Sequence, residues 1–369
     1  MYDAERHNTQ QRYQRTYMKF GWLNATLSFL VTLVFFVSGG FGWLDEVVRQ
    51  WSSSDVVRTL LYFGLLYFAL EVVSIPLSAY ATFVIEARYG FNKTSAGTFV
   101  LDRLKGWLLT IVVGGGVLSL VVLIYAWTQQ WFWLVAWGVM TAISLFMSTF
   151  YSQLIVPLFN RQTPLEAGPL RDAIEAFAQR VGFSLSDIYV IDSSRRSTKA
   201  NAYFTGLGRR KRIVIYDTLI EQLTPDEIVA VLAHEVGHYK RHHTRKSLAL
   251  QLPLNLLMFF LLGLMLGSDT VALAAGSSEA SFYVNMVMFS FLYTPLSTCL
   301  DIVGNVVSRR HEYEADRFAR DNGVGEPLIS GLKKISGNAL GNPSPHPVRV
   351  FVEYSHPTLA QRIRALRAT

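Results

Sequence analysis

A single cysteine, Cys299, stands among 369 residues. No disulfide can close within the chain, and a metal site built from several thiolates is excluded. Charge is also scarce, with Asp, Glu, Lys and Arg making up 17% of the chain against about 25% in soluble domains. The first 20 residues are polar and carry Arg6, Arg12, Arg15 and Lys19, so no cleavable signal peptide is read there. No internal repeat and no low-complexity tract is present. The charge that remains is unbalanced, at +7 net, which taken alone would suit a phosphate-rich partner.

Hydrophobic residues are plentiful instead, at 51% of the chain. A bilayer core of about 30 Å needs roughly 20 helical residues. Six stretches qualify, at 22–43, 58–85, 106–127, 131–155, 248–267 and 282–305. Six spans put both termini and the long 156–247 segment on one side, which then holds 32 of the 34 Lys and Arg residues. The opposite loops hold only Arg49 and Arg58. The positive-inside rule assigns the basic side to the cytoplasm. The excess positive charge is therefore a topology signal, and no nucleic-acid partner is needed to explain it. A multi-pass protein is expected, in the inner or plasma membrane of a bacterium or the endoplasmic reticulum of a eukaryote. Glu71 and Asp301 fall inside spans, where ionisable groups face protein or water; for Glu71 a hydrogen-bonded helix contact is the favoured reading.

Segment 156–247 is too patterned to be a mere connector. Leu170, Ile174, Phe177 and Val181 recur at helical spacing, which predicts an amphipathic helix over 168–181. Residues 188–191 read as a buried strand. The β-prone runs 201–204 and 213–216 flank Gly206, Gly208 and a basic cluster, as a hairpin or bulged pair would. Thr224-Pro225-Asp226-Glu227 then opens a helix, with Thr224 as cap, Pro225 at its first position and Glu227 completing a capping box.

That helix carries His234-Glu235-Val236-Gly237-His238, an H-E-x-x-H motif. Two histidines four residues apart project from one face, so both imidazoles can reach one zinc ion. Glu235 is placed beside them to take a proton from the attacking water. Catalytic zinc takes a third protein ligand. His242 shares the face, but its eight-residue offset from His234 amounts to about 12 Å along the axis, too far for one ion. His243 points elsewhere, and both read as part of a basic membrane-surface cluster with Lys240, Arg241, Arg245 and Lys246. The metzincin pattern is excluded because Thr244 stands where its third histidine would be. The stretch Ser308–Asp316 offers Glu312 and Asp316 on one helical face: one can bind metal while the other holds a ligand histidine through its second nitrogen. Glu314 points away and reads as a solvated charge. The competing reading of this stretch is an exposed helix in which Arg309, Arg310 and Arg317 pair with the acids.

With these motifs the chain resembles the type I CAAX prenyl endopeptidases, membrane zinc proteases related to the bacterial heat-shock membrane protease. The resemblance runs over nearly the whole chain. It rests on Ile85-Glu86-Ala87-Arg88-Tyr89-Gly90-Phe91-Asn92-Lys93, Asn201-Ala202-Tyr203-Phe204-Thr205-Gly206, the H-E-x-x-H, Ser308–Ala319 and Ser355-His356-Pro357. It implies one zinc per chain held by His234, His238 and Glu312, with Glu235 as general base and Asp316 supporting the site. It further implies that Asn201, Ala202 and Tyr203 belong to the strand along which a substrate peptide lies, and that His356 stands near the scissile carbonyl. An edge strand can hold an extended peptide by main-chain hydrogen bonds.

The expected fold is mainly α and polytopic, a helical barrel around an internal chamber, with a zincin-like catalytic domain on the cytoplasmic side that contains a small β element. Residues 1–155 form a membrane region with four spans, and 156–369 a peptidase domain that includes the two further spans. The resemblance implies seven spans. The segment from Tyr2 resembles the family's stretch just after its first span, which leaves six here. Two substrate classes compete: prenylated CAAX peptides, and membrane proteins removed by quality control. A polytopic transporter with an incidental H-E-x-x-H is the reading from a different class, but no inverted repeat supports it.

Overall fold

The computed structural model describes residues 4–205 and 212–368. Helix α1 (Ala4–Val37) ends at Gly39, whose left-handed backbone (φ 73°) starts the short amphipathic helix α2 (Gly40–Trp51). The expected span 22–43 therefore stops sooner than its apolar content suggested. The aromatic residues beyond it belong to α2, where Phe41 is buried against neighbouring helices. Next come α3 (Asp55–Tyr80), α4 (Ala96–Leu109), α5 (Gly115–Thr128) and α6 (Phe132–Leu154).

Five apolar helical runs are of membrane length, among them Ala96–Phe159 with 64 residues. At 1.5 Å per residue such a run would be about 96 Å if straight, some three bilayer cores. It folds back at Gln129 (φ 48°), and Tyr125 and Phe132 on its two arms meet at 5.4 Å. The five runs thus supply the six expected crossings.

After α7 (Val156–Phe159) the chain builds a four-stranded sheet from β1 (Gln162–Pro164), β2 (Asp187–Ile191), β3 (Ala202–Thr205) and β4 (Arg212–Tyr216), with α8 (Pro169–Arg180) between β1 and β2. The order is β1-β2-β4-β3, with β2 and β4 parallel and the outer pairs antiparallel. The expected pairing of the two β-prone runs is found, with Ala202 opposite Ile215; the turn with Gly206 and Gly208 lies outside the described residues. β3 stands at the sheet edge.

Helices α9 (Asp217–Gln222) and α10 (Pro225–Lys240) come next, then the span α11 (His243–Leu266), the short α12 (Asp269–Ala274) and the 40-residue α13 (Phe282–Asp321). Helices α14 (Gly325–Asn338), α15 (Pro347–Glu353) and α16 (Leu359–Arg367) complete the described chain. The expected span 282–305 is only the first part of α13, which leaves the membrane region without a break and carries Glu312 and Asp316 into the core beside the sheet.

That core is packed on Ile213, Ile215, Leu219, Ile228, Leu232 and Leu328, all nearly inaccessible. By contrast, at most 17% of the most apolar stretch of any membrane-length run is buried. The spans therefore leave most of their apolar surface uncovered, as helices facing lipid do. A cleft between α11 and α13 is lined by Gln251, Asn255, Ser297, Asp301, Asn305 and Ser308, so Asp301 faces a polar space. Glu71 accepts from Trp107 Nε1 at 2.9 Å and lies 3.5 Å from Arg103. It is the hydrogen-bonded helix contact expected of it.

Membrane and peptidase parts are tied by polar contacts. Arg196 holds Asp102 of α4 with two nitrogens, at 2.8 and 2.9 Å. Lys199 reaches Glu86 at 3.0 Å, and Glu86 also accepts from Tyr13 of α1 at 2.9 Å.

Candidate metal centre

The site is built on α10 and α13. Thr224 caps α10: its hydroxyl accepts from Glu227 N–H at 3.4 Å, and Glu227 accepts from Thr224 N–H at 2.8 Å. Glu227 also accepts from Ser330 and Lys334 of α14, at 2.7 and 2.8 Å. Burial raises its carboxyl pKa, but these partners outweigh it and hold the group down at about 2. The helix crosses α13 at Gly237. A Cβ there would lie 3.0 Å from Ala315 Cα and 3.1 Å from Ala315 O. A side chain there would be tighter than ordinary van der Waals contact and would push the two helices apart by a few tenths of an ångström.

This crossing brings His234, His238 and Glu312 together, each offering a donor atom within 4.8 Å of the others. The two Nε2 atoms are 3.1 Å apart; Glu312 Oε2 lies 3.5 Å from that of His234, and Oε1 3.2 Å from that of His238. His234 and Glu312 are buried, and Glu235 beside them is half-buried. The exposed, salt-bridged alternative for this stretch is ruled out. Glu312 and Asp316 point inward, and Arg309 donates to the carbonyls of Val350 and Tyr354.

Asp316 lies 2.8 Å from His234 Nδ1. A carboxylate can only accept, so a proton on Nδ1 belongs to this contact, although Arg362 Nη2 also lies 3.2 Å from that nitrogen; in the neutral ring Nε2 then carries the lone pair that a cation would use. Burial opposes charge on His234, but the bonds to Asp316 and Glu312 outweigh it and raise its pKa to about 8. The pocket favours positive charge. Glu312 Oε2 is buried without a hydrogen-bond partner. Two imidazole nitrogens and an unsatisfied carboxylate oxygen form a donor set that suits a borderline divalent cation. Cys299 is exposed and is no part of the set.

The other predicted residues lie around this group. His356 sits in the loop before α16, mostly exposed, with Nε2 3.5 Å from Glu312 Oε1. Asn201 is exposed at the start of β3, its carbonyl accepting from Tyr216 N–H at 3.0 Å. Ala202 is buried in the peptidase core, and Tyr203 shares a hydrogen bond of 3.2 Å with Ser152 of α6. Only the main chain of this edge is available to a peptide.

Two readings are corrected. Helix α10 ends at Lys240, and His242 adopts a left-handed conformation (φ 57°), so it does not continue the His234 face. That turn folds His243 back under His238, where it is buried, with Nδ1 2.9 Å from His238 Nδ1 and Nε2 3.0 Å from Glu314. His243 is therefore no surface residue, and Glu314 is not merely solvated. Arg362 of α16 was missed. It grips Asp316 at 2.6 and 2.9 Å, with Glu312 at 3.5 Å. Its sequence signal was indirect: two inward carboxylates on one helical face require a cation.

Residues 164–369 match the profile described as Peptidase family M48, and residues 1–161 the one described as CAAX prenyl protease N-terminal, five membrane helices. The chain belongs to the M48 family. Among similar proteins, the CAAX prenyl protease 1 homolog of Oryza sativa subsp. japonica is 36% identical over 85% of this chain and 74% of its own. CAAX prenyl protease 1 of Saccharomyces cerevisiae is 35% identical over 86% and 74%. The human CAAX prenyl protease 1 homolog is 31% identical over 85% and 74%. The crystal structure of S. mikatae Ste24p superposes with a TM-score of 0.95 at 32% identity, covering 100% of this chain and 90% of that one. This M48 protein is a multi-pass integral membrane metalloendopeptidase, and its fold is the helical membrane chamber of that group.

Proposed function

We propose that the metal of this peptidase is one zinc ion, held by His234, His238 and Glu312, and that its substrate is the prenylated C-terminal CAAX segment of a membrane-associated protein. The observation that carries the reading is the convergence of two imidazole nitrogens and a carboxylate oxygen without a hydrogen-bond partner at the crossing of α10 and α13, with Glu235 one position along. Zinc, when bound, supplies Lewis acidity toward water and carbonyl oxygen. Glu235 takes the proton of the attacking water and returns it to the leaving amine. His356, whose side chain is 65% exposed beside Glu312, donates to the developing oxyanion. Asp316 and Arg362 fix the ring of His234.

An extended peptide would lie along the free edge of β3 at Asn201, Ala202 and Tyr203, bonding to main-chain groups there that β4 does not engage. The prenylated substrate is taken from the names of the relatives. Residues 1–155 serve as the membrane region and 156–369 as the peptidase region. The excess of basic residues turns the site toward the cytoplasm.

Glu235→Gln keeps size and shape but removes the proton acceptor. Metal content should stay at one per chain while cleavage of a farnesylated CAAX peptide falls about 10²–10⁴-fold. Full turnover by the metal-loaded variant would remove Glu235 from the mechanism. Equal cleavage of an unprenylated membrane-tethered peptide by wild type would move the substrate to quality-control targets.

A further inference from the structure

The two histidines of the motif are backed differently. His234 meets its carboxylate, Asp316, directly. His238 faces no carboxylate on its Nδ1 side; it faces His243, whose far nitrogen faces Glu314. His243 is 3% exposed and is stacked on His311, with ring centroids 4.1 Å apart and planes 10° from parallel. The ring is clamped on its face and engaged at both nitrogens, so it cannot turn without breaking two hydrogen bonds.

The proton positions in this row are set by donor chemistry. Ionised Glu314 only accepts, so His243 Nε2 carries a proton and donates to it. In a neutral imidazole the other nitrogen is then bare, so His243 Nδ1 accepts, and the donor must be His238 Nδ1–H. That in turn leaves His238 Nε2 with its lone pair, directed at Glu312 and His234. One carboxylate, two residues away through a buried ring, thereby selects the tautomer of His238 that can bind a metal.

We propose that His243 is a positioning residue for the metal, the middle member of a Glu314–His243–His238 relay, with His311 as the plate on which its ring rests. The proposal depends on His238 being a metal ligand. Outer partners of ligating imidazoles typically contribute about 10–100-fold in metal affinity, through ring orientation and basicity.

The test uses the full chain in detergent, stripped of metal, with Zn²⁺ affinity measured against a chelating competitor and the visible spectrum recorded on Co²⁺ loading. His243→Ala should weaken Zn²⁺ binding about 10–100-fold and change the Co²⁺ spectrum, since the ring of His238 is then free to rotate. His243→Gln should recover most of the affinity, because its side-chain carbonyl can accept from His238 Nδ1–H. Glu314→Gln should weaken binding less than His243→Ala does. Wild-type affinity and spectrum in His243→Ala would overturn the relay. Should that variant not fold, Glu314→Ala, which removes the acceptor from a half-exposed side chain, decides, and unchanged affinity and spectrum there would overturn it equally. His238→Ala separates the two levels. Metal retained by it would sink the ligand assignment and the relay together, whereas metal lost by it but kept at full strength by the His243 variants would sink the relay alone.

Discussion

Arg362 holds both oxygens of Asp316, at 2.6 and 2.9 Å, while the same carboxylate faces His234 Nδ1 at 2.8 Å. A residue of the last described helix therefore governs the ring of the first motif histidine. Without Arg362, Glu312 and Asp316 would be buried with no full positive charge in contact except a protonated His234 or a metal. Arg362→Met should destabilise the metal-free protein by about 3–5 kcal/mol, the usual cost of breaking a buried ion pair from one side. The loss should be smaller with Zn²⁺ bound, since the ion offsets the same carboxylates. Unfolding in detergent with and without Zn²⁺ measures both; equal losses in the two states would contradict the shared role.

Metal content separates the two groups of histidines and acids. Glu312→Ala should purify with much less than one zinc per chain, because the remaining pair offers only two protein ligands. His242→Ala should keep its full complement, its side chain lying past the left-handed turn that ends α10. Elemental analysis of both proteins checks this, and the reverse pattern would reject the ligand set.

Glu227 gives a pH dependence with a definite sign. Its carboxyl is depressed from 4.5 to about 2, so the folded state binds the proton less readily than the unfolded chain. The resulting stabilisation is fully present above about pH 4.5 and is lost as the pH falls through about 2. Thermal unfolding of wild type should exceed that of Glu227→Gln at pH 6, and the gap should close between pH 4.5 and 2. A gap independent of pH would show that the capping hydrogen bond, and not the charge, carries the effect.

The proposed sidedness rests on the basic residues. A reporter or accessible cysteine placed in 206–211 should be labelled from the cytoplasm, and one placed in 275–280 only from the opposite face. Labelling of both sites from one face would break the six-crossing arrangement.

The spans could be read from sequence because bilayer thickness imposes a length that few other structures need. The capping box at Thr224, the strands and the amphipathic helix could be read because their signals are local. The break at Gly39 was harder, as apolar residues resume directly beyond it, whereas the fold-back at Gln129 falls in the polar gap read between 106–127 and 131–155. His243 was misplaced for a specific reason: non-glycine residues rarely adopt the left-handed conformation that His242 takes, and that single backbone state exchanges a surface histidine for a buried one. Arg362 escaped because its partner, Asp316, is 46 positions earlier and no periodicity links them. Helical spacing brought Glu312 and Asp316 forward as a pair, and only the family resemblance pointed to Glu312 as the ligand of the two.

The distance along the chain between the members of the site also sets an order of events during synthesis. Arg362 lies 128 residues after His234. At about 5–20 residues per second, a ribosome needs on the order of ten seconds to cover that stretch. Through that interval the H-E-x-x-H helix exists without its balancing guanidinium, and for much of it without Glu312 and the span that carries it. The nascent chain is thus unable to cut neighbouring proteins, or itself, while its last crossing is still being inserted.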